Sequence, residues 1–185
     1  MEKLIYISVI VCSCIMIANP SAVIAKGYIG LFADDYHGSW CVTGEDFYPV
    51  EMWVWCLPSE NGLICYEMGV DYPSNVIQSI AIWNNHINPC VGCTKYSLCF
   101  MVCETYWVWP WHQTLWVTDS EKSVVEITVY PQSGILSFAN CEEGYPVEPC
   151  TIYTNLYINY SPSDPECQAT SVEDRSWGVI KTLLE

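Results

Sequence analysis

The chain has 185 residues, of which 21 are acidic and 6 basic, giving a formal net charge of −15 at pH 7. That excess of carboxylates repels nucleic-acid phosphates and anionic membrane surfaces, and so excludes charge-driven binding to either. It favours solubility, and acids in solvated turns account for it without any ligand.

The first elements in chain order read as an export signal. Lys3 supplies a basic start, Leu4 to Ala18 form an apolar stretch, and Ala22-Val-Ile-Ala25 offers small or aliphatic residues before a cleavage point. Residues 1–25 are therefore predicted to be a signal peptide cut after Ala25. The alternative is an uncleaved anchor, for which about fifteen apolar residues are too few. Cys12 and Cys14 lack the Leu-small-small pattern that precedes a lipoprotein cysteine. Charges or prolines interrupt every later apolar run, so no stable membrane insertion is expected after cleavage. About 160 residues remain, the size of one domain.

From residue 26 to 167 the pattern is alternation between two faces, bounded by turn residues. The series opens with 28-YIGLFA-33. In 50-VEMWVWC-56, Val50, Met52, Val54 and Cys56 share one face while Glu51, Trp53 and Trp55 share the other. After 58-PSENG-62 comes 63-LICYEMGV-70, and the pair is predicted to be a hairpin. Further strands are expected in 76-VIQSIAIW-83, 97-SLCFMVCE-104, 114-TLWVT-118, 123-SVVEITVY-130, 135-ILSFA-139 and 151-TIYTNLYINY-160. In the last, Ile152, Leu156 and Ile158 alternate with Tyr153, Asn155, Tyr157 and Asn159. About nine short strands rich in β-branched and aromatic residues predict an all-β fold, a single disulfide-stapled β-sandwich of immunoglobulin-like or jelly-roll topology. A barrel is the structural alternative.

Ten cysteines follow the signal: Cys41, Cys56, Cys65, Cys90, Cys93, Cys99, Cys103, Cys141, Cys150 and Cys167. An even number in an exported chain is read as disulfides. The cluster 90–103 is also weighed as a metal or redox centre. On a strand, Cys99 and Cys103 share a face with Cα atoms about 13 Å apart. That is too far for a mutual disulfide or for two ligands of one zinc, so each seeks a partner on a neighbouring strand or loop. The 90-CVGC-93 element lacks the βαβ context of a thioredoxin-like pair. Spacing suggests two bridges, Cys56–Cys65 across the expected hairpin and Cys141–Cys150 around 142-EEGYPVEP-149. No metal site is assigned.

No catalytic residues are assigned either. The chain contains no Gly-x-Ser-x-Gly, no His-Glu-x-x-His and no phosphate-cradling glycine loop. Its three histidines, His37, His86 and His112, lie in no recognisable frame. No cofactor is expected; Asp34 with Asp35, or Asp164 with Glu166, are the acids a loop calcium site would draw on. The aromatic load does invite a function. Trp107 and Trp109 share a face, with Trp111 displaced at Pro110, and a row of exposed indoles would stack on a ligand, while buried between sheets the same rings would be core. Tyr153, Tyr157 and Tyr160 form a second aromatic set. Residues 168–185 read as a linker and a short amphipathic tail, in which Trp177, Gly178, Ile180 and Lys181 form a candidate sorting signal and Trp177, Ile180 and Leu184 share a helical face.

The opening Tyr-Ile-Gly-Leu-Phe-Ala-Asp, the central Pro-Val-Glu-Met-Trp-Val-Trp with Asn-Gly-Leu-Ile-Cys-Tyr-Glu-Met, and the closing Ser-Trp-Gly-Val-Ile-Lys-Thr-Leu resemble a group of uncharacterised secreted bacterial proteins. That group has an Ile-Gly-x-Phe/Tyr-Ala-Asp start and a Trp-Gly-x-Ile-Lys tail, and the resemblance implies no particular activity. A weaker likeness is to cohesin-type sandwiches, from which the chain departs in its cysteine density. The reading is a secreted or cell-surface protein, extracellular or periplasmic, that acts as a non-catalytic binding or structural component. Its expected partner is an unknown extracellular protein or glycan. The alternatives are a carbohydrate-binding module using the tryptophans and a secreted hydrolase.

Overall fold

The computed structural model describes residues 27–43, 46–84 and 94–168. The predicted signal peptide, His86, Cys90, Cys93 and the tail signal at Trp177, Gly178, Ile180 and Lys181 lie outside the described residues. Within them the regular structure is all β, and no helix is long and apolar enough to cross a membrane.

Two sheets form the sandwich. Sheet 1 contains β1 (Tyr28–Phe32), β3 (Tyr48–Leu57), β5 (Val76–Gln78), β6 (Ile82–Trp83), β8 (Val108–Val117) and β12 (Ile152–Thr154). Sheet 2 contains β2 (Cys41–Val42), β4 (Leu63–Asp71), β7 (Lys95–Glu104), β9 (Ser123–Thr128), β10 (Ser137–Ala139), β11 (Val147–Pro149) and β13 (Leu156–Ile158). In sheet 1 the order runs β12-β1-β3-β8-β5, with β6 also on β8. In sheet 2 it runs β11-β10-β4-β9-β13-β2, with β7 on the other side of β4. The β1–β12 and β13–β2 pairs are parallel, and the remaining pairs are antiparallel.

The inward halves of the alternating strands meet between the sheets. Ile29, Met52, Val54, Trp111 and Leu115 come from sheet 1, and Tyr66, Met68, Val125, Leu156 and Ile158 from sheet 2; all ten are buried. One polar side chain enters this core on β8. Gln113 sits in the same row as Trp111 and Leu115, and its amide donates to the Tyr72 hydroxyl at 2.5 Å. That partner removes most of the cost of burying an amide.

The predicted hairpin is an inter-sheet connection instead. β3 belongs to sheet 1 and β4 to sheet 2, so the 58–62 turn carries the chain across the sandwich. Gly62 closes that turn at φ +77, and an added Cβ would come within 2.5 Å of the Cys103 sulfur and 2.9 Å of the Cys141 sulfur. Both sterics and backbone therefore demand glycine there. The expected strand 151–160 likewise breaks at Asn155, where β12 in sheet 1 gives way to β13 in sheet 2. The Asn155 carboxamide oxygen accepts from the Ile127 N–H at 2.9 Å, so the joint is held by a side chain in place of a ladder bond. The run 76–83 splits in the same way into β5 and β6. The short β2 and β11 carried too few residues to show a period.

The cysteine pairing corrects both proposed bridges. Cys65 bonds to Cys99, its direct partner across the β4–β7 pair, and Cys141 bonds to Cys103. Cys41 bonds to Cys167, with Cα atoms 5.7 Å apart. Cys56 and Cys150 are free and buried. The reason is the topology above: once the 58–62 turn crosses between sheets, Cys56 and Cys65 lie on different sheets and cannot face each other.

Candidate binding face

The outer face of sheet 1 is built from the other half of the alternation. Register sets Trp55 beside Gly30, Trp53 beside Phe32 and His112 beside Trp53. Tyr28 and Phe32 point outward and yet are each only 2% exposed, because rings cover one another. Gly30 makes room for this. A Cβ at that position would meet the Phe32 ring at 2.3 Å and the Tyr28 hydroxyl at 2.7 Å.

His37 folds back over the face from the loop after β1. Its ring stacks on Trp107 at 4.2 Å and 15°, and meets Trp55 edge-on at 5.0 Å. The loop is shaped by Asp34, whose carboxylate accepts from the backbone N–H groups of Tyr36 at 3.2 Å and Gly38 at 2.8 Å. A second stack lies further along, where Trp53 and His112 are 4.0 Å apart and nearly parallel at 8°. Trp109 meets Trp53 edge-on at 79°. Beside them the His112 Nδ1 lies 3.4 Å from a Glu51 carboxylate oxygen, and the Thr114 hydroxyl donates to the other at 2.7 Å.

Toward β5 and β6 the face opens. Ile77 is registered with Trp116 and Ile82 with His112, and both isoleucines are 56% exposed. Trp116 and Ile80 are exposed as well. The face thus grades from a closed aromatic pack over β1 and β3 to an open apolar edge at β5, β6 and β8, with a carboxylate, an imidazole and a hydroxyl between.

Trp107 and Trp109 belong to this face, but Trp111 does not. Val54 pairs with Trp111 and Cys56 with Val108, so β8 carries one extra residue at this point. That bulge, at Pro110, reverses the parity and turns Trp111 fully into the core. The rings that remain outside meet largely edge to face and present no coplanar row. Of the second aromatic set, Tyr153 lies on the edge of sheet 1, while Tyr157 is in sheet 2 and meets Tyr160 edge-on at 5.1 Å.

Among the described residues no cluster of three or more His, Cys, Asp or Glu is arranged to hold a metal. Asp164 is engaged with Lys122 at 2.7 Å and with the Ser161 N–H at 2.8 Å. The hydrogen bond from Lys122 lowers the Asp164 pKa and raises that of the lysine. His112 and Glu51 form a donor–acceptor pair on an open face, where nothing excludes water from a reacting group. The contribution of Glu51, Trp53 and Trp55 was visible as alternation in 50–56. That of Ile77, Ile82 and Trp116 was not, because it depends on which strands lie beside β8.

No family model matches the chain, and no curated protein matches it. Solved structures do. The chain is similar to the CaDoc0917–CaCohA2 complex crystallised at pH 5.5, with TM-score 0.52 and 11% identity over 74% of this chain and 100% of that one. It is also similar to a non-cellulosomal cohesin from the hyperthermophilic archaeon Archaeoglobus fulgidus, with TM-score 0.53 and 8% identity over 72% and 90%. Its fold is a cohesin-like β-sandwich. Of the two topologies expected from the sequence, the cohesin neighbours are of the jelly-roll kind. At this level of identity the likeness concerns the backbone alone.

Proposed function

We propose that the chain is an exported, non-catalytic binding module that holds a protein partner on the open part of the sheet 1 face. The observation that carries this reading is the grouping of exposed Ile77, Ile80, Ile82 and Trp116 beside Glu51, His112 and Thr114. An apolar patch rimmed by a few directional polar groups is the composition of a protein-recognition surface. The CaCohA2 chain, which shares the fold, is held in a complex with CaDoc0917. Residues 1–25 direct export, and three disulfides among the described residues suit an oxidising compartment. Trp177, Gly178, Ile180 and Lys181 serve as a sorting signal after the domain.

The test is retention of a partner from the secreted fraction by the immobilised domain, with Trp116→Ala and Ile82→Glu as face variants. Retention falls at least tenfold in both, while Met101→Glu, at an exposed site on sheet 2, leaves it unchanged. Equal retention by all three removes the face from consideration. A shift in tryptophan fluorescence with a polysaccharide, abolished by Trp109→Ala, would replace the protein partner with a glycan.

A further inference from the structure

Six of the eight described cysteines are paired; Cys56 and Cys150 are the two left free. Neither is at the surface, since Cys56 is 0% and Cys150 5% exposed. Their positions converge on one residue. The β1–β3 register sets Cys56 opposite Ile29, which places the two Cα atoms about 4.5–5.5 Å apart. Cys150 lies where the chain leaves β11 in sheet 2 for β12 in sheet 1, anchored by its N–H to the Leu136 carbonyl at 2.9 Å. Its sulfur is 3.2 Å from the Gly27 carbonyl and 3.3 Å from the Ile152 carbonyl, and it is hydrogen-bonded by the Ile29 backbone. The two thiols therefore border Ile29 from its two neighbouring strands, inside one core.

Burial raises the Cys56 pKa well above the ordinary thiol value, and the neighbouring Cys150 raises it further. Burial also pushes Cys150 up to about 11, against hydrogen bonds with the Ile152 and Ile29 backbone. Both remain thiols at neutral pH. Because the thiolate is the attacking form, they leave the three existing disulfides undisturbed. Access exists from one side only. An open cleft of about 350 Å³, lined by Ile127, Ile135, Leu136, Pro149 and Tyr153, has Cys150 in its wall.

We propose that Cys56 and Cys150 are an oxidative modification site, a dithiol that closes into a fourth disulfide when a small organic disulfide reaches Cys150 through this cleft. The Cys150 thiol gives up its proton and attacks one sulfur of the oxidant, forming a mixed disulfide and releasing one thiolate. The Cys56 thiolate then attacks the Cys150 sulfur and releases the second. The two protein thiols lose two protons and two electrons, and the oxidant is reduced to two thiols. The new bond joins β3 of sheet 1 to the β11–β12 crossing. Each of the three existing bonds joins two parts of sheet 2 or the segment that follows it.

The test uses the full mature protein and cystamine, a dication suited to an acidic chain. After treatment at pH 8.5 the protein is denatured, alkylated and weighed intact. Two thiols that alkylate before treatment are expected to be lost, the mass to fall by two hydrogens, and a peptide map to link Cys56 to Cys150. The rate should rise about tenfold per pH unit while thiolate is limiting. Cys56→Ser should stop at a mixed disulfide on Cys150, and Cys150→Ser should take up no adduct at Cys56. A Cys56–Cys150 bond already present in the secreted protein also supports the pairing. Two thiols that persist through treatment, separate adducts on both cysteines, or a link from either to Cys90 or Cys93 would overturn it. The wild-type map decides the matter even if a variant fails to fold.

Discussion

The two sheets hold their outer surfaces by different means. Sheet 1 carries no disulfide among its described residues, and its outer face is covered by rings from β1, β3 and β8 and by His37 from a loop. Sheet 2 carries both halves of each described bond on its strands or on the segments that leave them. It has short members at one side, β10, β11 and β13 at three residues each and β2 at two. Short strands contribute few ladder bonds and little packed area, so covalent links stand in for them. The ten-residue pair β3 and β8 has both in plenty. Side-chain packing suffices where strands are long, and cross-links appear where they are not.

The largest break in this comparison is removal of the bond with the longest loop. Cys41 and Cys167 are 126 residues apart, for which chain entropy alone predicts about 5 kcal/mol, less if the unfolded chain keeps structure. The Cys41→Ser, Cys167→Ser double variant should lose most of that in urea unfolding. Hydrogen exchange should quicken first in β2 and β13, while sheet 1 amides keep their protection. Uniform loss across both sheets would show that the sheets are not separately held.

Alkali acts next, on groups buried in the shared core. Burial raises the pKa of Cys56, Cys150, Tyr66 and Tyr72 above ordinary values of 9.0 for the thiols and 10.0 for the phenols, and raises Tyr96 to about 12. The folded state then holds protons that the unfolded state has lost. Stability is full below pH 9 and declines above it, by about 1.4 kcal/mol per group for each pH unit past the unfolded value. Urea midpoints at pH 8 and 10 should differ by about 2–3 kcal/mol from the two thiols. Closing the proposed Cys56–Cys150 bond should abolish that part of the slope, since a disulfide does not titrate.

The smallest effect compares one tryptophan from each side of sheet 1. Trp111→Ala opens a cavity in the core and should cost about 3–5 kcal/mol. Trp53→Ala removes a half-buried ring stacked on His112 and should cost about 1–2 kcal/mol. Equal costs would make the outer aromatic pack a second core and leave only its open edge for binding.

The strands themselves were legible because each buries one face and so repeats every second residue; 50–56 is the plainest case, with Met52 and Val54 inward and Trp53 and Trp55 outward. The all-β sandwich follows from many such runs. What misled was any place where the chain changes sheet. The Asn-Gly of 61–62 marks a turn in either reading, and nothing local tells a hairpin from a crossing. The same ambiguity hid the break at Asn155 and led to Cys56 and Cys65 being paired.

By itself, then, the sequence determined where chain segments extend, which side chains share a face, that a net charge of −15 turns away polyanions, and that Cys99 and Cys103 cannot bond to each other. Those depend on spacing along one strand, and spacing is local. Only the tertiary structure decided which strands are neighbours. From that follow the partners of Cys99 and Cys103, the seclusion of Cys56 and Cys150, the turning of Trp111 into the core, and the meeting of Ile77, Ile82 and Trp116 beside His112. Each is set by contacts between residues far apart in the chain, where pairing is chosen by the packing of whole faces and no short motif records the outcome.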